Sequence, residues 1–182
     1  MREELIDVLD ENGIKTGKIL SRREVHRQGL WHRIIVVAIL NEKNEILIQQ
    51  RSQNKDKNPG MWDISVTGHL STGQDSLMAA TREISEEVSV SLGYSIEVKD
   101  FRFMFSFRKE EQVSSEHFDR QFYDFFVLRQ SGLNVNNLKF QESEVQAIEF
   151  VNISELNEMR EKNILVNRDE CYDALAEYLF RI

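Results

Sequence analysis

The stretch Gly68-His69-Leu70-Ser71-Thr72-Gly73-Gln74, running through Asp75 into Ser76–Val90 (SLMAATREISEEVSV), decides how this chain is read. Leu77, Ala80, Ile84 and Val88 recur at spacings of three and four, which predicts a helix over Ser76–Val88 with one apolar face. At roughly 100° per residue, Glu83, Glu86 and Glu87 fall within one arc of that helix, away from the apolar residues. Three carboxylates on one face repel one another unless a cation sits among them, and hard oxygen ligands suit Mg²⁺ or Mn²⁺. On spacing alone a solvated acidic face accounts for them at least as well. The glycine-flanked loop that runs straight into the helix shifts the balance.

Outward from this stretch, the chain alternates short strand patterns with turns. Glu4–Leu9 and Ile14–Leu20 read as strands around the turn Glu11-Asn12-Gly13, and Arg22–Arg27 as a helical turn. Ile34–Leu40 is a β-branched run joined by Asn41–Asn44 to a strand over Glu45–Arg51. Ser52–Gly60 is polar, holds the only proline, Pro59, and reads as a loop of functional length. Phe101, Phe103, Phe105 and Phe107 alternate with Arg102, Met104, Ser106 and Arg108, a strand period whose simplest use is core packing. Lys109–Asp119 reads as a charged hairpin loop, Phe122–Leu128 as the return strand and Ser131–Glu144 as exposed polar chain. Val145–Val151 is a further strand. Asn152 with Glu155 forms the pattern of a capping box opening a helix to about Glu161, and Asn167–Phe180 is the last helix. The sum is an α+β chain of one domain over residues 1–182, with a short hairpin unit at about 1–30 packed on it.

Laid end to end, Gly68, Gln74, Arg82-Glu83-Ile84, Glu86-Glu87, Ser89 and Val90 resemble the Nudix signature: Gly, five residues, Glu, seven residues, then Arg-Glu-apolar-x-Glu-Glu-x-Gly-apolar. The spacing is intact, and the order of elements around it is also similar to that family. The resemblance implies an α/β/α sandwich with a mixed central sheet and a loop–helix carrying the active site. It implies a metal-dependent pyrophosphohydrolase that cleaves a small-molecule diphosphate, with Glu83, Glu86, Glu87 and the Gly68 carbonyl as ligands of Mg²⁺ or Mn²⁺. Arg82 would orient Glu86 or a neighbouring carboxylate, and Glu142 or Glu144 would be the base. Two positions depart from the signature. Gln74 stands where the family has Glu and adds no charge; Ser89 replaces the glycine that ends the helix.

Val25–Arg33, Gln50-Arg51-Ser52, Lys55 and Asn58-Pro59-Gly60-Met61-Trp62-Asp63 look like the Nudix subgroup similar to isopentenyl-diphosphate isomerase. By that resemblance Arg51 and Lys55 would hold the diphosphate; Trp62 and His69 are further candidates for the substrate pocket, with core or rim packing at least as good a use for Trp62. His32 and His69 fall where that isomerase has metal-binding histidines, but with ordinary hydrolase ligands present both read as structural or pocket-lining. The isomerase needs a cysteine immediately before the Gly-His pair, and here the residue is Thr67, which cannot supply a thiol for proton transfer. Hydrolysis therefore ranks above isomerisation, with a ligand-binding module that has lost turnover as the reading Gln74 and Ser89 would favour.

Composition sets the outer limits. A formal net charge of −8 over 182 residues argues against a nucleic-acid backbone as the main partner. No stretch has the apolar length of a membrane span, and the charged N-terminal MREELIDVLDENG lacks the apolar core of a secretory signal. One cysteine, Cys171, fits a reducing cytoplasm and, set among Ala174, Leu175 and Leu179, reads as buried and structural. The acidic surface and aromatic strands are compatible with a homodimer.

Overall fold

The β-branched run at Ile34–Leu40 is the centre of the sheet. In a computed structural model, which describes residues 3–55, 57–87, 98–115, 117–138 and 143–181, the run is the core of a ten-residue strand, Trp31–Leu40. In chain order the strands are β1 (Leu5–Leu9), β2 (Lys15–Ser21), β3 (Trp31–Leu40), β4 (Ile46–Arg51), β5 (Trp62–Ile64), β6 (Val66–His69), β7 (Phe101–Ser114), β8 (His117–Arg129) and β9 (Val145–Val151). The helices are α1 (Arg22–Arg27), α2 (Ser76–Glu87), α3 (Ile153–Glu161) and α4 (Asp169–Phe180). Val88, Ser89 and Val90 of the signature, the base candidate Glu142 and the side chain of Glu87 lie outside the described residues.

Strand β3 pairs in parallel with β8 along its whole length, from Trp31↔Arg120 to Leu40↔Arg129. Its other edge is shared by three antiparallel partners in succession: β1 at Trp31, β6 over Ile34–Val37 and β4 at Leu40. β4 carries β5 and β9, and β7 closes the far side on β8.

Side-chain alternation along β3 loads both faces. Ile34, Val36, Ala38 and Leu40 face a core completed by Leu156 of α3 and by Cys171, Tyr172 and Leu175 of α4. Ile35, Val37 and Ile39 face Ala79, Ala80 and Ile84 of α2. A run apolar at every position is what a strand covered on both sides requires. Each such residue, fully buried, contributes about 1.5–3 kcal/mol. Helices thus cover both faces of a mixed sheet.

The β7–β8 hairpin corrects the sequence reading in two ways. Lys109–Ser114 continues β7 and His117–Asp119 begins β8, so most of the expected loop is paired strand. The phenylalanines also do not share one face. A register shift between Phe103 and Phe105 inserts one unpaired residue, which turns the strand over. Phe101 and Phe103 meet Phe126 on the α2 face, whereas Phe105 meets Phe125 and Phe107 stacks on Tyr123 on the α4 face. Phe103 remains 54% exposed. Leu138, within the stretch expected to be exposed, is buried.

Candidate active site

The loop before α2 is closed locally. The Gln74 backbone N–H donates to the Ser71 carbonyl (3.0 Å), and the Gln74 side-chain oxygen accepts from the Ser71 backbone (3.0 Å). Gly73 turns the chain at φ +81°, a conformation that disfavours a side chain. Asp75 then accepts from the Met78 backbone N–H at 2.8 Å, a carboxylate cap for the helix that follows. Strand β6 sets Gly68 opposite Ile35, and α2 packs on that spot. The Glu83 carboxyl lies flush on the Gly68 Cα, where any side chain would overlap it. The constraint at 68 is this close approach, since its backbone is not in the left-handed region; a side chain there would have to displace the Glu83 carboxyl.

Arg82 organises the acidic face. Its guanidinium donates to Glu86 (2.9 Å), to Glu83 (2.8 Å) and to the His69 carbonyl (2.9 Å), using the several donors of its planar fork. Glu83 is 8% exposed, and burial pushes its carboxyl up to about 7; Arg82 pulls the other way and Glu86 adds to the rise. Glu86 is exposed. A buried carboxyl so placed fits a cation ligand, because a bound cation relieves the cost of its charge. Sequence reasoning therefore located Gly68, Arg82, Glu83 and Glu86 in one constellation, and the structure brings these four together.

A second cluster forms where β3, β6, β8 and α1 meet, and it contains all four histidines of the chain. His26 Nε2 is 3.1 Å from His69 Nε2, and the rings of His32 and His69 stack with centroids 5.2 Å apart. His117 tilts against His26 at 4.4 Å and donates to Asp119 at 2.9 Å. His26 Nδ1 is buried and lies 2.8 Å from the Asp119 carboxylate, but it lacks the alignment of a hydrogen bond. His32 Nδ1 faces the Leu30 carbonyl, so it carries the proton; its Nε2 lone pair is left to Gln121 and the cluster. Burial lowers His32 to about 4, and it also holds His69 well below its ordinary range. Neutral imidazoles, a carboxylate and an unaligned buried nitrogen are a donor set that suits a divalent ion: His26, His32 and His69, or His26, His117 and Asp119. The sequence reading placed only His32 and His69 here. The missed signal is that β8 returns His117 and Asp119, far along the chain, to the first helix.

The loop Ser52–Gly60 borders this cluster. Lys57 pairs with Asp119 and with Glu111 of β7 (2.9 Å). Burial alone would raise the Asp119 carboxyl, but His26, Lys57 and His117 hold it well below the carboxylate range. The cations expected to hold phosphate are already engaged. Arg51 donates twice to the Lys57 carbonyl and lies 3.8 Å from Asp63, which is itself clamped by Arg168 at 2.6 and 2.9 Å. Lys55 is paired with Glu144. Trp62 packs against the α4-side core.

A mixed sheet covered on both faces, with a glycine loop feeding a helix whose acidic face is gathered by one arginine, defines a Nudix-type α+β fold. The NUDIX domain family matches residues 30–174, and the chain belongs to that family of hydrolases. Nudix hydrolase 3 of Arabidopsis thaliana is 37% identical over 98% of this chain, which spans 23% of that longer protein. The uncharacterized Nudix hydrolase lmo0368 of Listeria monocytogenes is 35% identical over 85% of this chain and 83% of its own length. Isopentenyl-diphosphate isomerases are also relatives, that of Streptomyces coelicolor being 29% identical over 85% of this chain and 74% of its own. Among solved structures, DR0079 from Deinococcus radiodurans has a similar fold, with a TM-score of 0.70 at 21% identity, covering 94% of this chain and 97% of its own.

Proposed function

We propose that this chain is a divalent-metal pyrophosphohydrolase that cleaves the diphosphate of a small organic molecule, with water as nucleophile. The observation that carries this reading is the Arg82 fork, which holds Glu83, Glu86 and the His69 carbonyl together beside the bare face of Gly68. Glu83, Glu86, Glu87 and the Gly68 carbonyl would hold Mg²⁺ or Mn²⁺. When bound, such an ion neutralises diphosphate oxygens and lowers the pKa of a bound water. The chain itself fixes the carboxylates and keeps Glu83 out of solvent, with the His69 carbonyl tied to the same guanidinium, whereas Trp62 packs into the core on the α4 side. Arg51 stiffens the Ser52–Gly60 loop through the Lys57 carbonyl, and Lys55 would exchange Glu144 for phosphate, freeing Glu144 as base.

The test is metal-dependent phosphate release from a panel of nucleotide sugars, dinucleoside polyphosphates, coenzyme A and nucleoside triphosphates. We expect turnover that requires Mg²⁺ or Mn²⁺ and falls at least about a hundredfold in Glu86→Gln, with the melting temperature unchanged because Glu86 is exposed. Full turnover in Glu86→Gln and in Glu87→Gln would sink the assignment.

The gathering of His32, His69 and His117 around His26, with Asp119 beside His26 and His117, favours a second reading, an isomerase-like enzyme acting on an alkenyl diphosphate. Thr67 speaks against it. Incorporation of deuterium from solvent into isopentenyl diphosphate, without phosphate release, would move the assignment to that chemistry.

A further inference from the structure

We infer that the N-terminal hairpin acts on the candidate metal site, with Asp7 of β1 as a positioning residue for the loop from which α2 springs. The inference rests on the reading that α2 carries the metal ligands. Its geometry is on β1. The Thr72 backbone N–H donates to the Leu5 carbonyl at 2.8 Å. The Thr72 hydroxyl donates to one oxygen of Asp7 at 2.9 Å, and the Gly73 backbone N–H donates to the other at 3.0 Å. Lys15 of β2 stands 2.7 Å from the same carboxylate and balances its charge. Burial by itself would raise Asp7, yet Lys15, Gly73 and Thr72 together hold it below its ordinary value, so the bonds are made to the ionised form.

The loop needs such a contact because of its own sequence. The family signature places a carboxylate at position 74, and here Gln74 accepts from Ser71 with a neutral amide. Charge-assisted hydrogen bonds are roughly twice as strong as neutral ones. Asp7 supplies from outside the loop the anionic acceptor that the loop lacks. The far flank is fixed in the same manner. Ser76, the first residue of α2, donates to Asp124, which also takes Arg33 at 2.6 Å and Ser106 at 2.7 Å. Between those two anchors runs the turn that aims Arg82, Glu83 and Glu86. The neighbours Ile6 and Val8 pack with Val25 in a separate small core, so altering Asp7 leaves the apolar attachment of the hairpin in place.

The test uses the whole chain with Asp7→Asn, Asp7→Ala, Thr72→Val and the double variant Asp7→Ala/Thr72→Val. Hydrogen exchange across residues 68–82 and Mn²⁺ affinity by electron paramagnetic resonance are both read without any substrate. We expect loop exchange to rise about tenfold in both Asp7 variants, and Mn²⁺ affinity to fall by a similar factor, the scale of one lost charged hydrogen bond. The double variant should be no worse than Asp7→Ala, because Thr72→Val breaks a contact that Asp7→Ala has already removed. Unchanged exchange over 68–82, or a rise spread evenly over the sheet, would overturn the inference. A wild-type chain that binds no Mn²⁺ would instead overturn the metal assignment of α2, and the exchange data would still decide whether Asp7 orders the loop.

Discussion

Arg82 and Cys171 mark the two ends of what single residues do here. Arg82 faces three acceptors at once, and its spacing from Glu83 and Glu86 was readable because helix geometry fixes where neighbours at one and four positions fall. Cys171 faces none. It is fully buried, and desolvation pushes its thiol up to about 12, so almost no thiolate forms near neutral pH. A disulfide reagent at pH 8 should leave the native chain unmodified and titrate one thiol after unfolding; rapid reaction in the native state would contradict the burial. By contrast the resemblance offered Arg51 and Lys55 as diphosphate holders and Glu144 as a base, but the partners that these residues and Lys57 take could not be read from the sequence. Which cation meets which carboxylate depends on chain segments far apart, such as Lys57 on the loop and Asp119 on β8.

At the level of elements, helices were the most legible parts. The capping box at Asn152 is formed, with the Asn152 side chain accepting from Ser154 and Glu155 and Glu155 bonding back to the Asn152 N–H. The strands β5 and β6 were not legible, being too short to carry a period; pairing with β4 and β3 creates them. The same holds for the bulge in β7, whose alternation in sequence continues straight through the point where the strand turns over. The link between β5 and α4 is a buried ion pair, Asp63 with Arg168. Removing one partner leaves a charge in a dry site, so Arg168→Met should cost about 3–5 kcal/mol by denaturant unfolding. A cost below about 1 kcal/mol would mean that Asp63 finds water or Arg51 instead.

For the whole molecule, the sandwich with both sheet faces covered was what the family resemblance implied, and the α+β class followed from the mixture of strand and helix patterns. The order of strands did not, because an apolar strand specifies burial and leaves its neighbours open. Nor did the histidine cluster, which exists only once β8 lies beside β3 and α1 has folded back over both. The parallel pairing of β3 with β8 joins residues 31–40 to residues 120–129, across most of the NUDIX region. A fragment ending at residue 115 lacks this partner, and we expect it to show no cooperative unfolding transition and to aggregate. A sharp transition in that fragment would show that β3 is held well enough by β1, β6 and β4.

That pairing also has a meaning in time. A ribosome delivers Trp31–Leu40 long before it delivers His117–Arg129, so the most apolar strand of the chain waits with one edge open while the intervening segments emerge. Closing so large a loop makes β8 docking a late and entropically costly event, after which the remaining pieces have a finished edge to settle on. The nascent chain is therefore most vulnerable to chaperone capture or misassembly in the interval between the two strands, and slowing translation there would lengthen the exposure of its stickiest segment.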